Sequence, residues 1–407
     1  MPRYGQAIVA IFVISGAAGL TYEIVWSRQL VLIFGNTTLA VAAILTGYFG
    51  GMAIGSFLGG RLADRVRSGL RLYAGLELLL VVVALVTPVL FTLVRTAYGW
   101  AYSTLEENSL ALAATRFILA LLALAPATIL MGATLPSLAR HLARRAAQLG
   151  DVFGRLYAAN TLGAALGALL AGFFLVEILG LTGSLVLGAV ASALAGFIAL
   201  ALARSEERRE VAGPATAVSD RVEPPGAPAA QPMPSAALGS HEIRRLALAV
   251  AFVSGLTSLG YQTLWTRLLS SGTGSVSYVF SAILVFFLIG LALGPLIVAA
   301  GTRRGIPTLP WLGATQLLIA VLAAVGTVLI AWRPFELSTG VTWALVVLPT
   351  ATVIGLSLPL AARIVPSDDR HVGRDSGSFS PRTPQVSSWE RWRSRSWPCR
   401  PSVRRSP

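Results

Sequence analysis

The sequence predicts an all-α polytopic membrane protein, a helical bundle of about ten transmembrane helices arranged as two parallel repeats. Three observations predict it. Of the 407 residues, 55% are hydrophobic and only 12% charged, and the mean hydropathy of +0.72 lies outside the range of soluble globular domains. Apolar runs of about 20 residues, enough to cross ~30 Å of hydrocarbon, follow one another along most of the chain. The stretch SGAAGLTYEIVWSRQL at 15–30 also returns, without gaps, as SGLTSLGYQTLWTRLL at 254–269.

The apolar runs fall near 6–26, 36–60, 72–95, 112–136, 153–176, 180–203, 246–266, 276–300, 309–332 and 339–362. The first is long enough to span and is followed by further spans, so it reads as a helix rather than a cleaved leader. The chain has no Lys; all 32 basic residues counted with Lys are Arg. Arg61, Arg65, Arg67 and Arg71 follow the second run, Arg140, Arg144 and Arg145 the fourth, and Arg204, Arg208 and Arg209 the sixth. Arg303 and Arg304 follow the eighth run and Arg363 the tenth. By the positive-inside rule the N-terminus is cytoplasmic in a cell inner (plasma) membrane. The net charge of +14 therefore sets topology, and the expected partner is the lipid bilayer, not nucleic acid.

The repeat carries further. At the offset of 239 positions, Ser15, Gly16, Tyr22, Trp26 and Arg28 return as Ser254, Gly255, Tyr261, Trp265 and Arg267, and Glu77 returns as Gln316. Later the offset is 223, with Pro126 over Pro349, Pro136 over Pro359 and Gly154 over Gly377. The expected organisation is a six-helix half at 1–204, a flexible cytoplasmic linker at 205–243 that is rich in Pro, Ala and charge, a second half at 244–378 holding four of six helices, and a tail at 379–407. Two halves of like orientation joined by such a linker follow the parallel-repeat plan of major facilitator proteins.

The tail breaks the repeat. Where the first half continues RLYAANTLGAALGALLAG, the second reads SFSPRTPQVSSWERW. Read one base out of frame from Phe379, that text accommodates Ala-Ala-Asn-Thr-x-Gly, because the single codons of Trp389 and Trp392 force a Gly and an Ala. The sequence thus predicts a disordered, frameshifted tail, in which Cys399, the only cysteine, carries no role and no disulfide or Cys-ligated metal site is expected.

The blocks SGAAGLTYEIVWSRQL, ILTGYFGGMAIGSFLGGRLADR and GRLYAANTLGAALGALLAG resemble the membrane region of the fused family in which major-facilitator-like helices precede a spermidine-synthase-like domain. The resemblance covers about 1–378. It implies the integral membrane module of a polyamine aminopropyltransferase-like protein, with a Rossmann-type catalytic domain beyond the last helices. No Gly-rich strand-to-helix turn for a nucleoside cofactor and no aspartate cluster for a polyamine occurs here, so no cofactor and no catalytic residue are assigned.

Ionisable and amide groups inside spans are the binding candidates. Glu23 and its partner Gln262, and Glu77 and its partner Gln316, pair acid with amide. Either Glu can hold a cation or proton, or bond to neighbouring helices; Glu23 can pair with Arg28, and Glu77 with Arg116, unless Arg116 snorkels to the interface. Asn160 reads as hydrogen-bonding glue. Trp26 with Arg28, and Trp265 with Arg267, read as aromatic-belt anchors with snorkelling arginines. In GGRLADRVRSGLR, Asp64 beside Arg65 either bridges to helix ends or to arginines of a neighbouring loop as a gate, or belongs to an ordinary charged turn that sets topology. His141, His241 and His371 are too scattered for a metal site. The functional expectations are the fusion module, an alternating-access transporter of a small cationic solute or polyamine, and a truncated product without function.

Overall fold

The computed structural model describes residues 2–143, 149–212, 240–270, 276–302, 308–332 and 339–364, and all of the regular structure in them is helical. The first half holds α1 (Pro2–Phe34), α2 (Thr38–Arg65), α3 (Gly69–Leu105), α4 (Ser109–Ala143), α5 (Leu149–Leu170, continuing as a π-turn over Ala171–Leu175) and α6 (Val176–Ala212). The second holds α7 (Ser240–Ser270), α8 (Val276–Thr302), α9 (Thr308–Trp332) and α10 (Thr339–Ile364). Nine helical runs among the described residues are long and apolar enough to cross a membrane.

One of those runs makes two passes. Gly154–Arg208 is 55 residues long, about 80 Å at 1.5 Å per residue, far more than a ~30 Å hydrocarbon layer needs. It breaks at Gly180, whose φ of 69° and ψ of −178° suit glycine and little else. The helices on either side run oppositely. Along α5, Gly163 meets Val13 and Gly167 meets Ala17, so α5 parallels α1. Gly188 meets Tyr22 while Ala203 shares a core with Ile8, so α6 runs back. Below, the near side of the bundle is the one where α1 begins and the far side the one where it ends.

Turns are set by local chemistry. Gly35, at φ 85°, closes α1 with its N–H donating to Val31 O at 2.9 Å, the left-handed C-terminal cap that glycine favours. Thr37 then caps α2 by accepting from Ala40 N at 3.2 Å. Gly47, Gly51, Gly55 and Gly59 recur every four residues on α2, and a Cβ on Gly55 or Gly59 would fall within about 2.0–2.5 Å of α4 atoms. Small residues thus bring α2 and α4 to backbone distance, where dispersion and weak polar contacts replace the absent hydrophobic drive. The second half repeats this between α8 and α10, Gly294 lying against Gly355.

Each half keeps its own core. Tyr22, Trp26, Tyr48, Phe91 and Leu124 centre one in the first half, and Trp265, Phe287, Ile319 and Val347 centre that of the second. A smaller cluster of Ile24, Ala168, Ala171, Leu284 and Val285 joins the halves where α5 packs on α8.

Helix α6 continues past Arg204 into the stretch read as linker. Its acids find partners there: Glu207 is bonded to Arg71, and Glu206 Oε1 lies 3.7 Å from His141 Nε2. Residues 213–239, and the tail at 379–407 with the frame change read into it, lie outside the described residues.

Candidate functional site

A chamber of about 410 Å³ opens between the halves, and the repeat dictates its walls. From α1 and α7 it takes Ser15 with Ser254, Gly16 with Gly255, Gly19 with Ser258 and Glu23 with Gln262. From α2 and α8 it takes Tyr48 with Phe287 and Met52 with Leu291, and from α4 and α10 Met131 with Ile354 and Thr134 with Ser357. Every pair sits at one of the two repeat offsets, 239 or 223. The chamber therefore lies on the pseudo-two-fold axis relating the halves, at the repeat interface where proteins built this way place a ligand.

Its polarity breaks that symmetry. Glu23 is 2% exposed, and its Oε1 has no hydrogen-bond partner among the described residues. The amide Nε2 of Gln262, the equivalent position, is likewise unpartnered. Glu77 is fully buried in α3 and accepts from Ser15 Oγ; Tyr73 and Ser192 lie around the same carboxylate. No Arg or His side chain lines the chamber among the described residues. A carboxylate so placed demands a proton or a cation to offset its desolvation.

The other residues singled out in the sequence distribute as follows. Asn160 lines the chamber, and its backbone carbonyl packs on Gly16, so it is wall and helix contact at once. Gln316 lies beside the chamber, with Nε2 donating to Ser357 Oγ at 2.9 Å. Arg116 does not reach Glu77: its Nε donates to Tyr98 OH at 2.8 Å near the far end of α3, while Glu77 lies toward the near end. Arg28 does not pair with Glu23 either. Five residues apart on a helix, the two point about 140° from one another, and Arg28 Nη2 donates to Gly172 O at 3.0 Å.

The tryptophans correct the belt expectation. Trp26 is 1% exposed and Trp265 0%, each stacked on the tyrosine one turn earlier, Tyr22 at 5.1 Å and Tyr261 at 5.6 Å between ring centroids. Trp26 Nε1 donates to Thr87 Oγ1 at 3.0 Å, and Trp265 Nε1 to Thr327 Oγ1 at 3.5 Å. Both are core residues whose single polar atom is satisfied inside the bundle. On the near side, Asp64 Oδ1 stands 3.4 Å from Arg140 Nε, tying α2 to α4, whereas Arg65 is exposed at the end of α2.

Tyr48 and Tyr157 also line the chamber, and the sequence reading passed over both. Tyr48 OH donates to Gly19 O at 3.4 Å. Both fall inside blocks that carry the family resemblance, ILTGYFGGMAIGSFLGGRLADR and GRLYAANTLGAALGALLAG, but neither recurs as tyrosine in the second repeat, whereas the serines at 15 and 254 carry a signal in their recurrence.

A second cavity, about 660 Å³, lies toward the far side, lined by Arg28, Arg267 and the turn after α1. Gln262 borders both cavities.

Comparison with known proteins agrees with this architecture. The family model described as Major Facilitator Superfamily matches residues 7–380. No curated protein matches the chain. Among solved structures, a bacterial homologue of the iron transporter ferroportin in an outward-facing state is similar at TM-score 0.52 and 14% identity, over 92% of this chain and 87% of that one. An auto-inhibited POT family peptide transporter is similar at TM-score 0.48 and 14% identity, over 92% and 85%. The first of these likenesses is one of fold. With two helical repeats closing on a shared chamber and the family model spanning nearly all of the membrane region, the chain belongs to the Major Facilitator Superfamily.

Proposed function

We propose that the protein is a secondary transporter that moves a small cationic solute, with a polyamine among the candidates, by exposing the Glu23 chamber to each side of the membrane in turn. One observation carries the reading: matched positions of the two repeats wall a single chamber that holds two carboxylates, Glu23 and Glu77, and no Arg or His among the described residues. Rocking of one repeat against the other about such a site is the economical route to alternating access. Glu23, with an unpartnered oxygen, is the first ligand for the cation, and Glu77 a second acidic group held by Ser15. The Arg-rich near side would face the cytoplasm of a plasma-membrane protein.

The test is uptake by proteoliposomes of radiolabelled organic monocations and linear polyamines. Uptake of at least one, reduced tenfold or more in Glu23→Gln with folded protein retained, is expected. Uptake indifferent to that change, or no cation uptake at all, overturns the reading. The motif blocks at 15–30 and 154–172 favour a second reading, in which the bundle serves a spermidine-synthase-like enzyme. Sequencing the gene through codon 378 and about a kilobase onward decides it, since that reading requires a continuous frame into a catalytic domain.

A further inference from the structure

The far cavity has chemistry opposite to that of the chamber. Its walls also come in repeat pairs, Ile24 with Thr263, Ser27 with Thr266, Arg28 with Arg267 and Val41 with Phe280. The same axis therefore passes through it, and the two guanidinium groups flank that axis from opposite halves. No Asp or Glu lines the cavity among the described residues. Glu177 acts electrostatically on Arg28 from outside the lining. Hydroxyls of Ser27, Thr37, Thr263, Thr266 and Ser281 complete a polar wall.

Arg28 is held in place for such a role. The π-turn at Ala171–Leu175 presents the Gly172 carbonyl to Nη2, and the Tyr278 ring centroid lies 6.0 Å from the guanidinium carbon. Irregular turns of this kind concentrate at functional sites. A guanidinium has five donors, and that hydrogen bond is the one Arg28 makes among the described residues. Like charges on the wall of one cavity repel, and an anion between them converts the repulsion into two charge-assisted contacts. A volume near 660 Å³ falls within the range of small-ligand sites.

We propose that the far cavity is an oxyanion site, in which Arg28 and Arg267 together bind a phosphate or carboxylate group. The group belongs either to a free solute or to a lipid head group reaching in from the bilayer. The site is separate from the Glu23 chamber and does not depend on the transport reading.

The experiment uses the full chain in phosphatidylcholine nanodiscs, titrated calorimetrically with inorganic phosphate against matched chloride. Binding that weakens at least tenfold in Arg28→Gln and in Arg267→Gln, and is unchanged in Glu23→Gln, supports a free-solute oxyanion. Native mass spectrometry with added phosphatidylglycerol gives the other arm. Retention of that lipid by wild type, its loss in either arginine variant and no competition by phosphate support the head-group source. If neither phosphate nor phosphatidylglycerol binds, or both bind the arginine variants as they bind wild type, the proposal fails. Should Arg28→Gln not fold, Arg267→Gln decides alone, since that side chain is exposed and its loss leaves the core intact.

Discussion

A Cβ on Gly16 would stand 2.1 Å from the backbone oxygen of Asn160, while a Cβ on Gly255, the same position in the second repeat, would meet nothing within 4 Å. Equivalent residues thus sit in opposite packing environments. Gly16→Ala is expected to push α1 off α5 and cost about 1–3 kcal/mol, the usual range for overpacking. Gly255→Ala is expected to cost nothing and to gain up to about 1 kcal/mol of helix propensity. Thermal unfolding of the two variants in one detergent checks the contrast: a lowered Tm for the first, an equal or raised Tm for the second.

Ser15 donates to Glu77, and the second repeat already carries Gln at the matching position, Gln316, bonded to a serine of its own. Glu77→Gln keeps the acceptor for Ser15, so its stability should stay within about 1 kcal/mol of wild type. Glu77→Ala strands the half-buried Ser15 hydroxyl and should cost about 1–3 kcal/mol. Denaturation midpoints that rank glutamine well above alanine are the expected outcome; equal losses would mean that the charge, and not the hydrogen bond, stabilises the position.

Trp26 fills the first core with its indole N–H on Thr87. Trp26→Phe should lose about 1 kcal/mol with that bond, and Trp26→Ala about 3–5 kcal/mol through the cavity it leaves. A tryptophan anchored in the lipid interface would show neither loss. Trp265→Phe should be milder, because its bond to Thr327 is longer at 3.5 Å.

Asp64 and Arg140 tie α2 to α4 on the near side, with side chains 9% and 12% exposed. A double-mutant cycle of Asp64→Asn and Arg140→Gln should return a coupling of about 0.5–3 kcal/mol, the range for groups in direct contact. A coupling indistinguishable from zero would reduce the pair to an ordinary charged turn.

Much of the architecture was legible because bilayer thickness fixes span length, and because duplicated sequence must fold into duplicated structure. Glu23 and Gln262 were found from one line of repeat alignment, and the chamber proves to be walled by such pairs. The errors arose at helix ends. Apolar windows stop at polar residues, so the first run ends at residue 26 and puts Trp26 at the interface. Helix α1 runs on through Ser27, Arg28 and Gln29 to Phe34, which carries that indole inside the bundle. Periodicity along one helix likewise says nothing about which neighbour a residue meets. Of the two readings open to Arg116, the pairing with Glu77 fails because Arg116, on α4, reaches Tyr98 near the far end of α3 while Glu77 lies toward the near end, and nothing in one helix's pattern places Tyr48 or Tyr157 at the chamber. The helical continuation to Ala212 was masked by charge, which reads as linker until partners such as Arg71 appear beside it.

The chamber's acids all come from one repeat. On a true two-fold axis a ligand has two equivalent poses, related by turning it end over end. With Glu at 23 and 77 but Gln at 262 and 316, that degeneracy is gone, and the proposed cation would take a single orientation with its charge leaning on the first six helices. Under the proposed transport cycle the halves would have unequal duties: the first would carry the passenger, and the second, offering amides and hydroxyls, would be free to swing past it without breaking an ion pair.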